Sequence, residues 1–146
     1  MILVDTSVIV PCLRRSTRAA FADFLIRISE EEPPAVSVIT RFEVIAGTAH
    51  EFLKVNSRFL DGFVAIDLDP AIADRAGELS YEWARKGHLL SPNDALIGAA
   101  ALVHGMTLAT TNKRQFPYLT GTETQVIEYR GAKGRHARET VHLCRK

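Results

Sequence analysis

Five short apolar runs, separated by longer stretches with helical periodicity, constrain the fold of this 146-residue chain more than any other feature. The runs are residues 1–4, 35–38, 63–66, 107–109 and 126–129, and they are rich in valine and isoleucine. Because the runs are continuous rather than alternating, they predict strands that are buried on both faces, as in a parallel sheet. Alternation of strands with helices then requires right-handed crossovers and gives a three-layer α/β domain. Functional residues of such a domain are expected at the carboxyl ends of the strands.

The segments between the apolar runs carry helix signals. Residues 18–28 are amphipathic, with phenylalanine, leucine and isoleucine on one face. An Asp-Pro pair and a Ser-Pro pair each place a capping residue before a proline, and proline is favoured at the first helical position. The predicted helices are 18–28, one or two within 40–59, 69–87, and a strongly apolar helix over 91–104.

Charge is distributed unevenly along the chain, although the formal net charge is only +1. Residues 1–129 hold 12 Lys and Arg against 16 Asp and Glu, whereas residues 130–146 hold six against one. The second segment has few large apolar residues, which favours a mobile tail. We therefore predict one domain over 1–129 and a basic tail over 130–146. Nucleic acid is one candidate partner of this tail, and a solvated end without a partner is the other interpretation.

Cellular location is indicated only by the cysteines and the start of the chain. Cys12 and Cys144 lie far apart and form no C-x-x-C pair, a pattern that is typical of reduced intracellular thiols. The first residues lack the basic start and longer apolar core of a signal peptide, and no window approaches the ~18 apolar residues of a membrane span. These features predict a cytoplasmic protein.

Three carboxylates are expected to meet at one edge of the predicted sheet. Asp5 directly follows the first strand, while Glu43 and Asp94 each lie three residues after a hydroxyl residue that could begin a helix, Thr40 and Ser91. This spacing matches a capping box, so helix capping is a structural explanation for both acids. An aspartate at a strand end can likewise be only a turn former. Both explanations nevertheless place the acids at the same edge, which Thr110, Thr111 and Asn112 also reach after the fourth strand.

Convergent carboxylates point to metal-assisted chemistry. Three acids in a partly dry cleft repel one another and raise at least one pKa unless a cation compensates. Oxygen ligands without histidine or cysteine suit Mg²⁺ or Mn²⁺, and these cations also bind phosphate oxygens. The reaction that follows from this chemistry is phosphodiester hydrolysis.

Four sequence blocks resemble the signature segments of PIN domains in their order and spacing, and the similarity covers residues 1–129. The nearest similarity is to VapC-type toxins of bacterial toxin–antitoxin modules. Each block is degenerate by itself, but four in the right order are a specific signal. The blocks are Ile-Leu-Val-Asp5-Thr-Ser, Thr40-Arg-Phe-Glu43, Ser91-Pro-Asn-Asp94-Ala-Leu-Ile-Gly and Thr107-Leu-Ala-Thr-Thr-Asn112-Lys-Arg-Gln-Phe116.

The resemblance implies a PIN-like fold, with a central five-stranded parallel sheet flanked by helices, and an endoribonuclease that depends on Mg²⁺ or Mn²⁺. It also implies a homodimer that a small antitoxin neutralises, in a heterotetramer or a larger assembly with that antitoxin. Asp5, Glu43 and Asp94 match the metal-binding acids of the family, and Asn112 stands where many members have aspartate. Because asparagine adds no charge, we expect one firmly bound metal rather than two. The residues expected to support the acids are Thr6, Ser7, Asn93 and Thr111.

Three arginines near the helix after Asp5 are candidate contacts for RNA phosphates. They are Arg14, Arg15 and Arg18, and a solvated helix face is the competing interpretation of this cluster.

Two other functions fit part of the pattern. An aspartyl-phosphate phosphatase also begins with an apolar strand and an aspartate, but its second acid is replaced here by Ser7. The other alternative is a PIN-like binding module that keeps the fold without the activity, an interpretation that Asn112 favours.

Overall fold

The computed structural model describes residues 1–130 and 136–146. Helices and strands alternate through the first four strands, and two longer strands close the chain. The elements in chain order are β1 (Ile2–Val4), α1 (Thr6–Leu13), α2 (Arg18–Ile28), β2 (Ala35–Ser37), α3 (Val38–Ala46), a 3₁₀ turn (His50–Phe52), α4 (Leu53–Leu60), β3 (Val64–Ile66), α5 (Pro70–Ala84), α6 (Pro92–Val103), β4 (Thr107–Thr110), a second 3₁₀ turn (Lys113–Gln115), β5 (Gly121–Arg130) and β6 (His136–Arg145).

The strands form one sheet in the order β3-β2-β1-β4-β6-β5. The first four pair in parallel, as the continuous apolar runs predict. The mostly parallel α/β sheet flanked by helices is thus confirmed. The predicted five-stranded, all-parallel sheet is wrong at one edge, because β6 pairs antiparallel with both β4 and β5 and makes the sheet six-stranded.

The prediction of a mobile basic tail is wrong for residues 136–145. These residues form β6, which lies between β4 and β5 and buries Val141 and Cys144 completely. Val141 faces one side of the sheet and Cys144 the other, so β6 covers the core on both faces, while Arg138 and Arg145 are exposed. Residues 131–135 of the predicted tail lie outside the described residues.

The sheet separates two apolar layers. Helices α5 and α6 cover one face, where Leu3 and Leu108 are fully buried. The other face is covered by α1 to α4, whose side chains pack on Val4, Ala109 and Val141. The predicted three-layer arrangement follows directly from this division, since each central strand presents apolar side chains in both directions.

The caps of the later helices agree with the sequence. The Asp69 carboxylate accepts a hydrogen bond from the Ile72 amide at 2.8 Å, and Pro70 is the first residue of α5. Ser91 caps α6 in the same way. The apolar helix α6 has 12 residues, and in the described part of the chain no helix is long and apolar enough to cross a membrane.

Candidate active site

Asp5 lies at the carboxyl end of β1, and its backbone N–H donates to the Ala109 carbonyl oxygen at 2.9 Å. Only 4% of the residue is exposed. Its Oδ2 atom accepts hydrogen bonds from the Ser7 hydroxyl at 2.6 Å and from the Thr110 hydroxyl at 2.8 Å. The two hydroxyls therefore fix the orientation of a carboxylate that the fold holds almost entirely out of water.

The environment of Asp5 disfavours its charge. Burial raises the pKa of this carboxyl above its ordinary value of 3.8, and the hydrogen bonds from Ser7 and Thr110 offset only part of that effect. Burying a carboxylate without a cation is costly. Asp5 is the N-cap residue of α1, yet its side chain makes no capping hydrogen bond to that helix.

Glu43 is not the capping acid that the sequence predicts. Helix α3 begins at Val38, two residues before Thr40, and its N-cap is Ser37, whose hydroxyl accepts from the Thr40 amide at 3.0 Å. Glu43 is consequently in the middle of α3 and not in its first turn. The capping interpretation of Glu43 is wrong, because Ser37 at the end of β2 supplies the cap and the helix follows the strand directly.

Two polar side chains orient Glu43 toward the carboxyl edge of the sheet. The Thr6 hydroxyl donates a hydrogen bond to Glu43 Oε2, and the Asn93 side-chain amide donates to Oε1 at 2.8 Å. Thr6 begins α1 and Asn93 belongs to the first turn of α6. The starts of two helices thus meet at one carboxylate on a third helix.

Asp94 does occupy the first turn of α6, as predicted. The Ser91 hydroxyl accepts from the Asp94 amide at 3.1 Å and lies 2.6 Å from Asp94 Oδ2, to which it donates. Partial burial raises the pKa of Asp94, and the negative charges of Asp5 and Glu43 raise it further. This repulsion shows that the three acids are close enough to act on one another.

The raised pKa of Asp94 predicts that this acid destabilises the metal-free protein at neutral pH. When the pKa of a carboxyl is higher in the folded than in the unfolded protein, the protein loses stability as the pH rises through the folded-state pKa. Below pH 3.8, the unfolded value, this loss is absent. Asp94→Asn keeps an acceptor for Ser91 and removes the charge. In EDTA, the midpoint of thermal unfolding should therefore be higher for Asp94→Asn than for wild type at neutral pH, and the difference should shrink in acid.

The control for this measurement is Asp74→Asn, since Asp74 is an exposed acid on α5. Its unfolding midpoint should follow that of wild type. Equal midpoints for Asp94→Asn and wild type at every pH would show that the three acids do not repel one another enough to affect folding.

The three acids line a single cavity of about 670 Å³ at the carboxyl edge of the sheet. Their carboxylate oxygens suit a divalent cation, but the hydroxyls of Thr6 and Ser91 engage two of them. Within residues 1–130 and 136–146, no three acidic, histidine or cysteine side chains are yet grouped closely enough to hold a metal ion.

Several predicted supporting residues lie where the sequence places them. Thr6, Ser7 and Thr111 line the cavity, and the Thr111 amide donates to the Ser7 hydroxyl at 2.9 Å. Asn93 acts on the site through Glu43. Each of these residues therefore contacts an acid directly or through one hydroxyl.

Other predicted residues lie elsewhere. The side chain of Asn112 is exposed and does not line the cavity, and this residue contributes through its backbone N–H, which donates to the Thr110 hydroxyl at 3.0 Å. Among the three arginines, Arg14 lines the cavity, whereas Arg15 and Arg18 are exposed outside it. The Arg18 guanidinium lies 3.5 Å from the Leu13 carbonyl oxygen at the end of α1.

The cavity also contains residues that sequence reasoning did not find. Val10 and Pro11 continue the face of α1 that begins at Thr6, and this face could have been read from the helical spacing. Gln115 and Glu139 complete the cavity from the second 3₁₀ turn and from β6. Glu139 was missed because the whole segment was interpreted as a mobile tail.

Comparison with known proteins identifies relatives over most of the chain. The family model described as "PIN domain" matches residues 2–120 of the chain. The chain is 33% identical over 117 residues to "Ribonuclease VapC10" of Mycobacterium tuberculosis, an alignment that covers 80% of this chain and 86% of that protein. It is 30% identical over 95 residues to "tRNA(fMet)-specific endonuclease VapC" of Shigella flexneri, covering 62% of this chain and 72% of that protein.

Solved structures agree with the fold. The chain is similar to a chain in the VapBC2 complex of Rickettsia felis bound to a promoter DNA fragment, with a TM-score of 0.71, 24% identity, and coverage of 81% of this chain and 92% of that one. It is also similar to a chain in a toxin–antitoxin complex of Klebsiella pneumoniae, with a TM-score of 0.64, 28% identity, and coverage of 80% and 90%.

Proposed function

This chain belongs to the PIN-domain family and, within it, to the VapC-type ribonucleases, and we propose that it hydrolyses RNA phosphodiester bonds with a bound Mg²⁺ or Mn²⁺. The observation that carries the proposal is the single cavity lined by Asp5, Glu43 and Asp94, with Asp5 buried at its base. Three acids that repel one another need a cation, and oxygen ligands of this kind suit these two metals.

Asp5, Glu43 and Asp94 would hold the metal. When bound, a divalent cation supplies a Lewis acid that activates water and offsets negative charge on the phosphate. Asn112 stands where many family members have aspartate and adds no charge, so the three acids proposed to hold the metal carry three charges rather than four. This charge favours one firmly bound metal, and a calorimetric titration with Mn²⁺ that showed two sites of equal affinity would contradict that count.

The neighbouring side chains orient two of the acids. Ser7 and Thr110 hold the Asp5 carboxylate in one orientation, and the Asn93 amide holds one oxygen of Glu43. Fixed orientation reduces the rearrangement that is needed when charge develops during the reaction. Arg14, at the other end of the cavity, supplies a cation for a phosphate of the bound strand.

A metal-dependent nuclease should cleave RNA only when the cation is present. Purified wild-type protein is expected to degrade single-stranded RNA in Mn²⁺ or Mg²⁺ and to lose this activity in EDTA, with recovery when excess Mn²⁺ is restored. Gel analysis of a labelled RNA over time measures the effect. Cleavage that persists in EDTA would contradict the metal mechanism, and no cleavage with either metal would favour the binding module without activity.

The biological role that fits this activity is that of the toxin in a toxin–antitoxin module acting in the cytoplasm. Similar folds occur in VapBC and toxin–antitoxin complexes, which supports a small antitoxin as partner. A homodimer remains a prediction from the family resemblance. Expression of the chain with its neighbouring gene tests the partner, because a true antitoxin should copurify with the chain and suppress its RNA cleavage.

A further inference from the structure

The cavity is larger than its chemistry requires. One water takes about 30 Å³, so a cation with its waters fills only part of the 670 Å³, a volume in the range of ligand pockets. The rest extends along α1, where Thr6, Val10 and Arg14 lie on one face. Arg14 is eight residues beyond Thr6, which places it about 12 Å along the helix axis. This distance leaves space for a nucleotide between the acids and Arg14.

We propose that β6 adds a base-recognition subsite to this cavity, in which Glu139 accepts hydrogen bonds from a guanine of single-stranded RNA. The proposal rests on the ribonuclease function given above and names a specificity residue for it. Glu139 follows the segment that the family model matches, which ends at residue 120, so the subsite would belong to this chain's C-terminal hairpin.

The position of Glu139 is unusual for a strand carboxylate. Along β6 its side chain shares a face with Val141, which is fully buried against α1 and α2, and its partner across β5 is the buried Ile127. Glu139 is itself half-buried. A carboxylate in this position can accept hydrogen bonds from a partner that enters the cavity.

No partner of the Glu139 carboxylate exists within the described residues. The neighbouring Arg138 forms its ion pair with Glu128 on the opposite face of the hairpin, at 2.7 Å. Glu139 and Arg14 both line the cavity, yet the ion pairs among the described residues do not include one between these two. The cavity therefore presents a separate anion and a separate cation to whatever enters it.

A role for Glu139 as a fourth metal ligand fits less well. Asp5, Glu43 and Asp94 reach the cavity from the carboxyl end of β1, from α3 and from the first turn of α6. Glu139 reaches it from β6, an element that carries none of these three acids. Its carboxylate is therefore assigned to the bound strand and not to the metal.

Guanine matches the groups around this subsite. Its Watson–Crick edge presents two adjacent N–H donors, N1–H and the exocyclic amino group, and a carboxylate can accept from both. The Gln115 amide, which also lines the cavity, can donate to guanine O6. Uracil presents one donor between two carbonyl acceptors, which the carboxylate repels. Readout of exposed base edges is the usual route to specificity for single-stranded RNA.

The test is cleavage of an RNA pool with a randomised single-stranded segment in Mn²⁺, followed by sequencing of the new ends. Wild type should enrich guanine at one position beside the cut, and Glu139→Gln should reduce this enrichment by about tenfold. In a matched oligonucleotide, inosine in place of that guanine should slow wild type but affect Glu139→Gln little, because inosine lacks the amino group.

The control variant is Glu123→Gln, which removes the same charge from an exposed position on β5 of the same hairpin. It should keep the base preference of wild type. Cuts without base preference by wild type, or an unchanged preference in Glu139→Gln, would overturn the subsite while leaving the ribonuclease function in place. A pool that stays uncut by wild type would overturn both proposals. Equal melting temperatures of the three proteins would exclude misfolding as the cause of a lost preference.

Discussion

Replacing Asp5 with asparagine is expected to slow RNA cleavage by about a thousandfold or more while the protein stays folded. Asparagine has nearly the same shape as aspartate and can still accept a hydrogen bond from Ser7 or Thr110, so the packing around β1 should survive. The charge is lost, and with it one of the three proposed ligands for the cation. Initial rates on a labelled single-stranded RNA in Mn²⁺ measure the effect.

Asp67→Asn is a matched control for this substitution. Asp67 also follows a strand at the carboxyl edge of the same sheet, directly after β3, but it is exposed and lies outside the cavity of the three acids. Its cleavage rate should equal that of wild type. If Asp5→Asn retained a rate within a few-fold of wild type, the assignment of Asp5 as a metal ligand would be wrong, whatever the effect of Asp67→Asn.

The stability of the same variant gives a second, independent result. Burial raises the pKa of Asp5, so ionisation of this residue lowers the stability of the metal-free protein once the pH rises above 3.8, its pKa in the unfolded chain. Asp5→Asn should therefore melt no lower than wild type in EDTA at neutral pH. A protein that loses its activity without losing stability separates a role in catalysis from a role in folding.

The sequence predicted those parts of the fold that depend on local signals. Continuous apolar runs located β1 to β4 within one residue at each end, and the amphipathic segment 18–28 is α2. Capping residues followed by proline located the starts of α5 and α6. These signals are reliable because the residues that form them contact their own element or neighbours on the same helix.

The cap of α3 was misjudged for a physical reason. Val38 and Ile39 are β-branched and extend the apolar run of β2, so the sequence favours a strand up to Thr40. The fold instead begins the helix at Val38, with Ser37 as its cap. Packing of α3 against the sheet overrides the local preference, and it moves Glu43 from a capping position to one where Thr6 and Asn93 set its orientation.

The hairpin of β5 and β6 was missed because strand pairing is not encoded locally. In β6 the apolar residues alternate with basic and polar ones, and the high proportion of basic residues favours disorder when the segment is read alone. Pairing with β4 on one side and β5 on the other supplies the hydrogen bonds that the composition does not suggest. The candidate site was affected in the same way, since Glu139 reaches the cavity only through this pairing.

A chain that ends at residue 129, the predicted domain boundary, is expected not to fold. Removal of β6 would expose the paired edge of β4, leave β5 without its neighbour in the sheet, and remove Val141 and Cys144 from the core. Each buried side chain of this size contributes about 1.5–3 kcal/mol, and the lost pairing adds to it. The sum is comparable with the whole stability of a small domain, about 5–15 kcal/mol. Circular dichroism and thermal melting of the shortened chain measure the effect.

Point substitutions separate the loss of packing from the loss of chain length. In the full-length chain, Val141→Asp buries an unpaired charge and should also prevent folding, whereas Thr140→Asp places the charge at a half-buried position on the opposite face of β6 and should cost much less. A shortened chain that melts like the full-length protein would restore the interpretation of residues 130–146 as a tail. If folding instead requires β6, then the backbone of Glu139 is held beside the cavity by the same pairing that completes the sheet.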